Sequence, residues 1–168
     1  PDNVVHLETH YLYEFANKDA TAKEAHDRFP AHIHKDLVTL HEMIKQGHEE
    51  NAGNLAFHSL SKEISPGGKL PIEAFLHGEQ SWEMICERYR NFCTDPSFVD
   101  YFWTVRIMHA PLWQLAKIAH ELIPARAYHS VSTGYAGFLG AVLRQIRQLP
   151  LILSEHCIYT KVRKIDLF

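Results

Sequence analysis

Between Ala31 and Gln46 the apolar side chains Ile33, Leu37, Leu40 and Ile44 recur at spacings of four, three and four residues. That interval returns each one to the same face of an α-helix, so the segment reads as an amphipathic helix with Gly47 as its stop. A weaker helix is expected from Asn54 to Glu63, with Leu55, Leu60 and Ile64 as its apolar side. Ser65-Pro66-Gly67-Gly68 is the sharpest break in the chain and reads as a turn or surface loop. After it Pro71 suits the first turn of a helix, and Phe75, Leu76, Trp82, Ile85 and Tyr89 carry apolar contacts as far as Cys93. Thr94-Asp95-Pro96-Ser97 interrupts the pattern again; Ser97 is a candidate cap, with Asp100 completing a partial capping box. Phe98 to Leu122 is helical and apolar, and Pro111 inside it must kink or split the helix. The helical pattern opens near Asp19, behind a short candidate strand at Asn3 to His6 and the aromatic stretch Tyr11 to Phe15. These helices are too apolar to be solvated on all sides, so they must cover something.

Near the C-terminus the period changes. Ala127 to Val131 reads as a strand, Ser132-Thr133-Gly134 as a turn with candidate caps, and Tyr135 to Gln148 as a helix. Leu149 to Leu153 then reads as a second, buried strand. Strand, helix and strand with short joins form a βαβ unit, whose strands run parallel with a right-handed crossover. Two parallel strands cannot make a covered sheet alone, so further strands are expected from upstream or from chain beyond this sequence. The expected fold class is α/β: a partial Rossmann-like domain with parallel strands and a large helical insertion. Residues 19–124 form the mainly helical region and 126–156 the βαβ unit. There is no internal repeat.

Composition narrows the function classes. Of 168 residues, 46% are hydrophobic and 22% charged, the balance of a globular protein. Seventeen basic against twenty acidic side chains give a net charge of -3, which argues against a protein that grips nucleic acid through its phosphates. No apolar run approaches the roughly 20 residues that span a bilayer. Pro1-Asp2-Asn3-Val4-Val5 has no signal-peptide character and no initiator Met, so a trimmed or partial chain is expected. The three cysteines are Cys86, Cys93 and Cys157. The first two would lie about 10 Å apart on one helix, too far for a disulfide, and an odd count fits a reducing compartment, hence a cytoplasmic location.

Thirteen histidines raise the question of a metal. His34, His41 and His48 recur every seven residues beside His32, but two ligands on one helix close on an ion at i,i+3 or i,i+4. His6-Leu7-Glu8-Thr9-His10 carries its Glu one position late for a zincin motif, and Cys-x-x-Cys is absent. No metal site is expected; solvated or core histidines account for the pattern better.

In open α/β sheets, ligands bind beyond the carboxyl ends of the strands. Two places meet that rule. Ser132-Thr133-Gly134-Tyr135 would put helix N–H groups against an anion or a sugar hydroxyl. Gly134, Gly137 and Gly140 recur every three residues, which is not the dinucleotide fingerprint. For Gly137 and Gly140, close seating of the helix on the sheet is the better explanation. The second place is Ser154-Glu155-His156, followed by Tyr159, Lys161, Arg163 and Lys164. A carboxylate and an imidazole at a strand end, with these groups behind them, suit sugars or phosphates.

The same residues carry a resemblance. Phe75-Leu76-His77-Gly78-Glu79, Ser81-Trp82-Glu83, Glu87-Arg88-Tyr89 and Cys93-Thr94-Asp95-Pro96-Ser97-Phe98 resemble the PelF glycosyltransferases of bacterial Pel exopolysaccharide synthesis. So do His129-Ser130-Val131-Ser132-Thr133-Gly134-Tyr135-Ala136-Gly137 and Ser154-Glu155-His156 through Lys164-Ile165-Asp166. The earlier part of the chain is similar more loosely, as a variable helical region.

That family is similar to the family-4 retaining glycosyltransferases of GT-B fold, whose paired Rossmann-like domains face a cleft. The resemblance implies a UDP-sugar donor (UDP-glucose the usual suggestion), a saccharide acceptor, no obligatory divalent metal or other cofactor, and work beside the membrane-embedded Pel assembly proteins. It implies that this chain is an acceptor-side N-terminal portion, with the donor domain following Phe168. His156 would face the sugar and polarise the reacting centre as UDP leaves, and Glu155 would orient the loop or bind acceptor hydroxyls. Thr133, Gly134, Tyr159, Lys161 and Arg163 would complete the substrate contacts. Cys157 stands where the family pattern has Gly, and Val162 where it has Glu. Residue chemistry alone leaves two other readings: a non-catalytic helical binding or scaffold module, and a histidine metal-binding protein.

Overall fold

The computed structural model describes residues 3–13, 29–46, 50–94 and 97–155. The helix α1 (Ala31–Gln46) forms where the periodicity places it. Ile33 is fully buried with Phe29, Leu60 and Leu70, and Leu37 and Leu40 pack against that cluster. The expected onset at Asp19, the Ile44 side chain and the stop at Gly47 fall outside the described residues.

The next helix, α2 (Glu50–Glu63), starts ahead of the expected Asn54. Its packed side also differs from the expectation. Leu55 is 72% exposed, whereas Ala56 and Leu60 are buried. Five residues separate Leu55 from Leu60, which turns them about 140° apart on a helix, so they cannot share a face. Gly53, Ala56 and Leu60 do share one.

The break after α2 is a tied turn. Gly67 adopts φ +82, and a Cβ on Gly68 would run into the backbone carbonyl of Glu63. The Leu70 N–H donates to the Glu63 carbonyl at 3.0 Å, and the indole N–H of Trp113 donates to the Leu70 carbonyl at 2.7 Å. The Glu63 carboxylate accepts from the Lys69 N–H at 2.9 Å and meets His32 Nε2 at 3.1 Å. Burial pushes this carboxyl up. The Lys69 N–H and the His32 hydrogen bond and charge outweigh burial and hold it below its ordinary value.

One helix was expected from Pro71 to Cys93; two form, α3 (Ile72–His77) and α4 (Glu79–Phe92). Gly78 separates them with ψ 142, an extended conformation that ends the helical ladder. Pro71 is the cap of α3, not its first helical residue. The helix α5 (Phe98–His109) is capped as expected: the Asp100 N–H donates to Ser97 Oγ at 3.3 Å. Pro111 splits the long apolar segment and opens α6 (Pro111–Glu121) at its first turn, where its missing N–H costs no intrahelical bond.

A two-stranded parallel sheet, β1 (Tyr128–Ser130) and β2 (Leu151–Leu153), brackets α7 (Tyr135–Arg147). Both strands are shorter than the sequence suggested. In register, Tyr128 pairs with Leu151, His129 with Ile152 and Ser130 with Leu153. Side chains alternate across a strand, so Leu151 and Leu153 share the face that α7 covers. A Cβ on Gly140 would stand 2.7 Å from Leu151 Cδ1, and one on Gly137 would stand 3.5 Å from Leu153 Cδ1. The missing side chain at Gly140 lets the helix settle onto the strand as expected, whereas at Gly137 a Cβ would make only ordinary contact. On its other side α7 buries Val142 and Leu143 with Ala119, and Phe57, Leu122 and Tyr128 pack around them.

The second strand is not buried as expected: Ile152 is 58% exposed and Leu153 50%. Among the described residues α7 covers only the face of Leu151 and Leu153, which leaves Ile152 bare, and no third strand joins; Leu153 lies beside Gly137, which offers it no side chain. Asn3 to His6 does not form a strand, and Val5 is wholly exposed. The architecture is mostly helical with a small parallel sheet, compatible with α/β. Among the described residues no helix is long and apolar enough to cross a membrane.

Gly140→Val should cost about 1–3 kcal/mol in urea unfolding, because a Cβ and two γ-carbons must enter space held by Leu151. Glu63→Gln tests the turn by pH. A carboxyl held below its unfolded value contributes stability above that value and loses it as the pH falls through the folded one. The wild type should therefore melt higher than Glu63→Gln near neutrality, and the gap should close below about pH 4.

Candidate functional site

The carboxyl ends of β1 and β2 lie side by side, and the start of α7 rises from between them. Gly134 makes the corner with φ 70 and ψ −135, a combination that suits glycine alone. It is also the helix cap, with no side-chain cap bond, so neither Ser132 nor Thr133 caps α7 as expected. Ser132 instead donates its hydroxyl to the Thr133 carbonyl at 3.3 Å, and Ser130 donates to the Ser132 carbonyl at 2.6 Å. The phenol of Tyr135 donates to the Met108 carbonyl at 2.9 Å, which ties the start of α7 to the last turn of α5.

Beyond β2, the Ser154 N–H donates to the Ser130 carbonyl at 2.8 Å and extends the ladder by one bond. Ser154 Oγ also lies 2.9 Å from His129 Nε2. Glu155 follows directly and is exposed. Of the residues singled out from sequence, Thr133, Gly134 and Glu155 thus come together on one rim. His156, Tyr159, Lys161 and Arg163 lie outside the described residues, as do Cys157 and Val162.

One residue of this rim escaped the sequence reading. His129 stands in the strand and in the motif His129 to Gly137 with no role assigned from sequence; the available signal is a polar ring at the centre of a strand. From His129 to Gly134, with Ser154 and Glu155, the rim offers hydroxyls, one imidazole and one carboxylate, and no Lys or Arg. Such groups exchange hydrogen bonds with neutral hydroxylated molecules. They give a phosphate little to hold except the N–H groups of α7.

Two cavities lie elsewhere. One of about 540 Å³ is lined by His58, Lys62, Lys69, His120 and Gln145, at the opposite end of α7. The last turns of α2, α6 and α7 meet there, each carrying roughly half a negative charge, and Lys62 and Lys69 offset them. The other, about 310 Å³, lies between α1 and α4 beside His34, Gln80, Glu83 and Glu87. Neither touches the rim.

The histidines disperse. His6 and His10 flank Glu8 at 3.4 and 3.6 Å, His32 meets Glu63, and His41 Nδ1 lies 2.7 Å from the Leu37 carbonyl. Burial pushes His109 down, against a hydrogen bond to the Val105 carbonyl that favours the charged ring; nearby His41 pushes it further down. Among the described residues no three His, Cys, Asp or Glu side chains converge as metal ligands. His48 lies outside them. Cys86 and Cys93 are free and half-buried.

Gly134→Ala should cost about 1–3 kcal/mol, because an alanine must hold a backbone that L-residues avoid. A chemical melt of the two proteins measures the loss, and equal midpoints would contradict the corner geometry.

No curated protein and no solved structure matches the chain. A family model, described as a domain of unknown function (DUF3492), matches residues 1–168, and the chain belongs to that family.

Proposed function

We propose that this chain is the acceptor-side portion of a PelF-type retaining glycosyltransferase of GT-B fold, using a UDP-sugar donor, UDP-glucose by resemblance. One observation carries the proposal. A neutral rim of hydroxyl and imidazole groups sits at the carboxyl ends of a parallel pair, where open α/β sheets bind ligands. A rim without described cations suits an acceptor saccharide and leaves the diphosphate to a second domain. The motif residues Thr133, Gly134 and Glu155 stand on that rim. Membership in DUF3492 over the whole chain is consistent with a glycosyltransferase-like family.

In this reading Glu155 and the rim hydroxyls hold the acceptor, and His156 hydrogen-bonds the donor sugar. The imidazole stabilises charge as the sugar–phosphate bond lengthens, an electrostatic role set by positioning. Tyr159, Lys161 and Arg163 complete the substrate contacts. The protein works in the cytoplasm, beside the membrane-embedded Pel proteins, with a donor domain supplied by chain beyond Phe168.

A binding or scaffold role has one observation in its favour. The helix α5 buries no residue fully, and Val99, Trp103, Ile107 and Met108 on it are more than half exposed. An apolar face of that kind usually meets a partner.

Calorimetry separates the readings. Titrating this chain with UDP and with UDP-glucose should give no measurable heat. The full-length polypeptide should bind UDP and release it from UDP-glucose when an acceptor is present. Micromolar binding by this chain alone would overturn the division of labour, and a full-length protein inert to UDP-sugars would overturn the transferase reading.

A further inference from the structure

We infer that His129 is a positioning residue of the rim: it holds the end of β2, and with it Glu155, in place. The inference rests on the transferase reading for its functional consequence, though not for its geometry. His129 pairs in register with Ile152, so Ser154, two residues further along β2, is its diagonal neighbour on the same face. That face is the one α7 leaves uncovered, where Ile152 is 58% exposed.

Ser154 is held twice. Its backbone N–H reaches the Ser130 carbonyl at 2.8 Å, and its hydroxyl meets His129 Nε2 at 2.9 Å. Either bond alone leaves a hinge. A single N–H bond at the frayed end of a three-residue strand lets the chain pivot about it, and the second bond removes that pivot. The next Cα is only about 3.8 Å away, so the direction in which Glu155 leaves the sheet follows from how Ser154 is clamped. A valine or isoleucine at position 129 would suit the strand better and could not make this clamp.

Two measurements on the full-length polypeptide test the inference, using His129→Ala, His129→Gln and Ser154→Ala. Amide exchange reads the clamp directly. In His129→Ala and Ser154→Ala the Ser154 N–H should lose protection about tenfold while Val142 in the α7 core keeps its own; His129→Gln, which can still hydrogen-bond a hydroxyl, should retain most of it. Unchanged protection in His129→Ala overturns the inference, as does loss spread equally to Val142, which would mark a general loosening.

Turnover with UDP-glucose reads the consequence. His129→Ala should lower kcat about tenfold to a hundredfold with KM for UDP-glucose within about twofold, and His129→Gln should recover much of the rate. An unaltered kcat in His129→Ala overturns the positioning role. A wild type that does not turn over UDP-glucose overturns the transferase reading instead, and Ser154 exchange then decides alone whether His129 holds the strand end.

Discussion

Everything at the rim depends on how closely α7 lies against β2. Gly140 removes the side chain that would press on Leu151, while at Gly137 a Cβ would only touch Leu153 at ordinary contact distance. Two strands of three residues have little stability of their own, since so short a ladder cannot offset the chain entropy lost in forming it. The helix supplies what the ladder lacks. It seats its glycine side on the sheet and its Val142 and Leu143 on Ala119 of α6. The helical body thus reaches the sheet through α7, and the Tyr135 hydroxyl on Met108 adds a second tie at the start of that helix.

That arrangement leaves the sheet one-sided. Parallel sheets occur almost only with both faces covered, because their strands carry apolar groups on each face. Here Ile152 stands half-exposed on the open face, and among the described residues His129 and Ser154 are polar groups of that face, bonded to each other. Under the proposed function, this polar pair among apolar neighbours is where a saccharide would meet the surface. The α5 face with Trp103 and Ile107 is a second uncovered region, so the described fold presents surfaces of quite different chemistry.

Charge is distributed in the same sense. The described rim lacks lysine and arginine, while Lys62 and Lys69 gather at the far end of α7, where helix carbonyl ends converge. There the cations serve the helix termini. At the rim, hydroxyl and imidazole groups serve loop carbonyls and one another, and remain able to exchange partners with a hydroxylated ligand.

The legible part of this protein was local. The α1 face, the Ser97 cap, the break at Pro111 and the parallel strand–helix–strand unit were all readable, because each depends on residues within a turn or two of one another. The corner at Gly134 and the close seat of Gly140 were legible for the same reason: a missing side chain is visible in sequence. What could not be read depended on distant partners. Leu55 looked inward until α1 chose the face of Gly53, Ala56 and Leu60; Gly78 divided one expected helix into two; Val4 and Val5 had strand composition but stand exposed outside the sheet. The His129–Ser154 bond spans 25 residues of sequence and exists only because α7 returns the chain parallel to its own start. Periodicity and turn chemistry are properties of neighbours along the chain, whereas faces, edges and the groups that share a rim are chosen by packing across it.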